Sequence, residues 1–115
     1  MMRRVILESP FAGKTDADVV VNVTYARRCV RDSVMRGEAP IASHLLFTQP
    51  GILDDRVPNE RRLGIDAGLA WVPFADAMVI YIDRGVSDGM SEAMKYAQRH
   101  GLPTELRALE PIEST

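Results

Sequence analysis

Apolar residues in this chain fall into short uninterrupted runs separated by longer segments in which they recur every three or four positions, a pattern of buried strands alternating with amphipathic helices. Val5-Ile6-Leu7, within residues 4–8, predicts a first strand closed by Ser9-Pro10, with a loop over residues 11–15. Thr15 followed by Asp18 has the form of a helix start, after which Val19, Val20, Val23, Ala26, Val30 and Val34 keep helical spacing up to Gly37. Valines lose rotamer freedom in a helix, so this segment should be stabilised by tertiary contacts rather than by its own propensity. Pro40 introduces a second strand over residues 41–47, and Gln49-Pro50-Gly51 then turns the chain into a long loop reaching about Pro58. Connections of that length in small domains are disproportionately binding segments. A short helix from Asn59 carries Leu63, Ala67, Ala70 and Trp71, with Pro73 as its stop. Residues 77–82 are almost continuously apolar, as a central strand buried on both faces requires. A last helix from Ser87 to His100 sets Met90, Met94 and Ala97 on one face and ends at Gly101, with Pro103 beyond. Residues 104–109 predict a fourth strand, and the polar tail from Glu110 is expected to fray.

The order is therefore β-α-β-α-β-α-β, which predicts an α/β fold: a flavodoxin- or Rossmann-like three-layer sandwich with a mostly parallel sheet of four to five strands. At 115 residues the chain fits one domain spanning 1–115. In such sheets ligands bind beyond the carboxyl ends of the strands, where strand order reverses. Composition narrows the partners. A formal charge of −2 argues against a polymeric nucleic acid, which calls for a basic stripe. A single cysteine, Cys29, excludes an internal disulfide and a multi-cysteine metal site, and its apolar neighbours Ala26 and Val30 mark it as core. No apolar run approaches the ~20 residues that span a bilayer, so no membrane partner is expected, and the lone cysteine makes a reducing cytoplasm the expected setting. No metal or cofactor motif is present: Gly13-Lys14-Thr15 lacks the upstream glycine of a phosphate-binding loop.

The predicted strand ends gather three groups of candidate residues. Glu8, Ser9, Pro10 and Phe11 follow the first strand, as ligand-binding groups or as a plain turn. His44 falls within or just after the second strand, where a hydrogen-bonded structural histidine is the commoner case and no second histidine is nearby to share a metal. Asp83 to Glu92 is the strongest candidate. A strand runs there into a Gly/Ser/Asp turn that opens a helix, and the free amides of Ser87, Asp88, Gly89 and Met90 suit a phosphate or a sugar hydroxyl. Ser87 or Asp88 also serves as an ordinary N-cap, but capping does not demand Gly89, which permits close approach by a ligand. Asp83 and Glu92 flank this turn as acid/base or nucleophilic groups. Asn59-Glu60-Arg61-Arg62 is explained by a cap and a solvated turn, with Glu60 or Arg61 reaching a ligand only if the long loop folds back.

These segments together resemble the nucleoside 2-deoxyribosyltransferase-like superfamily, and within it a group of small bacterial and phage proteins. The likeness covers residues 4 to about 109 and is most specific in PIASHLLF and in VSDGM with the alanine of KYA downstream. It implies cleavage or exchange of the N-glycosidic bond of 2-deoxynucleosides or their 5′-monophosphates, a carboxylate attacking the anomeric carbon in the manner of retaining glycosyl transfer. By that resemblance Ser87 and Gly89 bind the sugar or 5′-phosphate, Asp83 lies near the sugar, and Ser9 and Phe11 line the base side. It also implies a homodimer or larger assembly, for which Trp71 and Phe74 are candidate contacts. The chain departs from the pattern at one point: the nucleophile's position, four residues before Ala97, is Ala93, and a carboxylate stands next to it as Glu92. One residue along a helix turns a side chain by ~100°. The resemblance therefore implies either an active N-glycosidase or transferase using Glu92, with Asp83 or Glu8 in support, or a non-catalytic nucleotide- or signal-binding module that has lost the nucleophile.

Overall fold

A computed structural model describes residues 1–110 of the chain. Four strands, β1 (Arg3–Glu8), β2 (Glu38–Ile41), β3 (Ala77–Tyr81) and β4 (Thr104–Arg107), form one all-parallel sheet in the order β2-β1-β3-β4. The helices are α1 (Asp16–Met35), α2 (Ser43–Leu46), α3 (Pro58–Leu69) and α4 (Asp88–Arg99), with a 3-10 turn at Val72–Phe74. The α/β architecture is as predicted, with four strands.

Alternation along the strands builds two cores. Val5, Leu7, Ala77, Val79 and Tyr81 pack with Tyr25 and Cys29 of α1 on one face. Ile6, Met78 and Ile80 pack with Met90, Ala93 and Ala97 of α4 on the other. All five residues of β3 are fully buried, which is why that run reads as uniformly apolar. Helix α1 opens with a capping box in which Thr15 and Asp18 satisfy each other's amides, and Gly37 at φ +89° follows its C-terminus in a left-handed conformation.

Two elements differ from expectation. The second strand is not residues 41–47: it ends at Ile41, and residues 43–46 close a helical turn through amides of Leu45 and Leu46 donating to the Ala42 carbonyl. A short apolar run carries no period that separates strand from helix, and Pro40 is tolerated because β2 is an edge strand. Helix α1 buries only part of its predicted stripe: Ala26 is buried and Val30 packs against the core. Val20 and Val34 are exposed, while Asn22, Tyr25, Ala26, Cys29 and Ser33 face the sheet. Hydrogen bonds decide this orientation: Asn22 donates to the Phe11 carbonyl at 3.1 Å, and Ser33 to Glu38 at 2.8 Å.

The Glu110 amide donates to Asp83 at 3.1 Å and its carboxylate accepts from Arg28 at 2.9 Å. The rest of the expected tail, 111–115, lies outside the described residues. Trp71 and Phe74 lie exposed beside and within the 3-10 turn. Among the described residues no helix is long and apolar enough to cross a membrane.

Candidate functional site

The chain leaves β1 towards β2 on one side and later returns to β3 on the other, so strand order reverses between β1 and β3. A cavity of about 330 Å³ opens at their carboxyl ends. Of the residues anticipated from sequence, Glu8, Ser9, Phe11, His44, Ser87, Asp88, Gly89, Met90 and Glu92 all line it. Pro10 is buried and does not line it.

Glu8 ends β1 on the sheet face that carries Ile6, the α4 side, where Ala93 also lines the cavity. The residue is partly accessible through the cavity, yet protein atoms surround its carboxyl, and this burial raises its pKa to about 8. No side-chain hydrogen bond or ion pair reaches it from the described residues. A protonated carboxyl of this kind is able to give a proton at neutral pH.

Buried Ser9 and half-buried His44 form a pair with Oγ and Nε2 2.7 Å apart. Burial lowers the His44 pKa to about 4, so the ring is neutral, and its Nδ1 has no partner among the described residues. A serine nucleophile needs a base oriented by a third group, and His44 has none; the pair instead pins the loop after β1 to α2. His44 therefore comes from a helical turn rather than from a strand.

Around α4, Ser87 caps the helix by accepting from the Met90 amide at 3.2 Å. Gly89 has no protein neighbour that requires glycine: an added Cβ would meet Arg61 Nη2 at 3.9 Å and Ser87 Oγ at 4.0 Å, ordinary contacts. Glycine leaves that space to the cavity.

Asp83 is a correction. It does not line the cavity; its carboxylate accepts from Tyr25 Oη at 2.5 Å and from the amides of Leu109 and Glu110 at 2.9–3.1 Å. Burial alone would raise its pKa, but these hydrogen bonds hold it below the ordinary carboxylate value. Tied on the α1 side, it fastens the segment after β4 and has no free oxygen for catalysis.

Sequence reasoning underrated one wall. The loop over 47–57 does fold back, held where Glu60 accepts from the Asp54 amide at 3.1 Å and Arg61 bonds Asp55 at 2.8 Å, and Asp55, Glu60 and Arg61 line the cavity. Gly64, Ile65 and Gly68 of α3 line it too. The four-residue spacing of Gly64 and Gly68, a bare stripe on one helix face, was the signal for that close approach.

Fold and site thus define a small open-sheet α/β protein with a ligand-sized cavity at its topological switch point. The chain belongs to the family described as a domain of unknown function, DUF7768, which it matches over residues 3–107. A comparison with curated proteins finds no match.

Proposed function

We propose that the cavity binds a nucleoside, nucleotide or related ribosyl compound and that the protein hydrolyses or transfers its N-glycosidic bond. The observation that carries this reading is Glu8, a carboxyl on the wall of the cavity at the β1/β3 switch point with no side-chain hydrogen bond or ion pair from the described residues. The resemblance of residues 86–97 to the deoxyribosyltransferase-like superfamily supports it. In this reading Glu92, also on the cavity wall, forms a bond to the anomeric carbon as the C–N bond breaks, and Glu8 gives its proton to the departing base nitrogen. Water or a second base then takes the ribosyl group from Glu92.

A second reading, a binding module without chemistry, is favoured by Ala93, which is buried where the superfamily pattern calls for a carboxylate. Free base released from a broad panel of deoxynucleosides and their monophosphates separates the two. Wild type should release base, and Glu92→Gln and Glu8→Gln should each lower the rate by about a hundredfold or more. Binding without release by wild type would establish the module instead.

A further inference from the structure

Charge around the cavity narrows the guest further, on the premise that the proposed ribosyl ligand binds there. A second cavity, of about 730 Å³, adjoins the first and shares with it a wall that includes Phe11, Leu53, Asp55, Glu60 and Arg61. Among the residues lining the two, seven carry carboxyls and two carry guanidinium groups, with no lysine. Each guanidinium charge is paired with a carboxylate, Arg61 with Asp55 at 2.8 Å and Arg56 with Asp54 at 3.2 Å. Asp16, Glu60, Asp88 and Glu92 have no ion pair among the described residues. Arg62, close enough to feel the Glu92 charge, is held by Asp66 at 2.7 Å. The positive end of α4 is likewise answered from within, since Asp88 occupies its first turn and Ser87 takes the Met90 amide.

We propose that this cleft selects uncharged ribosyl ligands, unphosphorylated nucleosides, and rejects their 5′-phosphates. A phosphate brings close to two negative charges into a cleft whose free charges are all carboxylates, and like charges juxtaposed in a partly desolvated site suppress binding of the wrong partner. A nucleoside offers hydroxyls and ring nitrogens instead. Glu8 in its protonated form and the amides of Asp88 and Gly89 at the start of α4 suit those groups without a countercharge.

Calorimetric titration of the full chain with common 2-deoxynucleosides, the matching 5′-monophosphates and inorganic phosphate tests this. At low salt the nucleoside should bind at least about tenfold more tightly than its monophosphate, and phosphate alone should not bind measurably. Molar salt should shrink the gap, because screening acts on the repulsion and not on the nucleoside. Asp88→Asn should strengthen monophosphate binding several-fold and change nucleoside binding by much less. A monophosphate that binds as tightly as its nucleoside overturns the charge rule and leaves the proposed ligand class standing. If no member of either series binds, the ligand class and the charge rule fall together.

Discussion

Burial of the Glu8 carboxyl keeps its proton on at pH 7, whereas in the unfolded chain the same group ionises near 4.5. The sign of the consequence follows from proton linkage: between those values the folded state holds a proton that the unfolded state has released, so stability falls as pH rises. His44 acts oppositely. Its folded pKa near 4 lies below the ordinary 6.5, so it costs stability as pH drops from 6.5 towards 4. The two effects overlap below 6.5, and between about 6.5 and 8 the decline belongs to Glu8. Thermal melts across that interval should show wild type losing Tm while Glu8→Gln stays flat. Parallel curves would mean that the carboxyl is solvated and would remove its proposed role as acid. The Ser9–His44 pair beside it acts by position, joining the turn after β1 to α2 on the cavity wall through one part-buried hydrogen bond.

At the scale of elements, the cavity depends on how closely α3 approaches α2. Gly68 is buried there, and a Cβ at that position would collide with the Ser43 side chain, whereas one at Gly64 would meet Leu53 Cδ1 at 3.4 Å. Gly68→Ala should therefore destabilise by about 1–3 kcal/mol through overpacking, partly offset by alanine's better helix propensity, and Gly64→Ala should sit near wild type. Chemical denaturation of the two variants measures the difference; equal stabilities would show that α2 gives way. The same seam explains what was and was not legible in the sequence. The buried strands β1 and β3 and the capped ends of α1 and α4 were readable, because local composition and tertiary role agree there. Residues 41–47 were misread since their apolar run suits either period, and α1's inward face was legible only in part, because polar anchors such as Asn22 and Ser33 displace Val20 and Val34 from it. The switch-point rule points to the part of the cavity wall made by Glu8, Ser9, Phe11 and residues 87–90 and 92, but not to the wall made by α3. Asp83 was misplaced because its hydrogen bonds to residues 109 and 110 come from chain distant in sequence.

Across the whole molecule, the two edge strands are joined by an ion pair on the α1 side of the sheet. Arg107 of β4 reaches Glu38 of β2 with both terminal nitrogens, at 2.7 Å each, and both side chains are under a tenth exposed. Ser33 donates to the same carboxylate, Tyr81 takes a hydrogen bond from Arg107, and Arg3 bridges Glu38 to Glu105. Hydrogen bonding from Arg107, outweighing burial, lowers the Glu38 pKa to about 2, so its contribution is present above about 4.5 and lost as pH falls towards 2. A buried pair of this kind is costly to break by halves, since removing one charge strands the other. Arg107→Met should cost about 3–5 kcal/mol in urea denaturation at pH 7, and the deficit should shrink near pH 3, where the stranded Glu38 carboxyl takes up a proton. Replacing both partners, Glu38→Leu with Arg107→Met, should recover most of the loss, because no unpaired charge remains. A single Arg107→Met variant within 1 kcal/mol of wild type would instead mean that water reaches Glu38, and that the sheet holds its edges by backbone pairing and apolar burial alone.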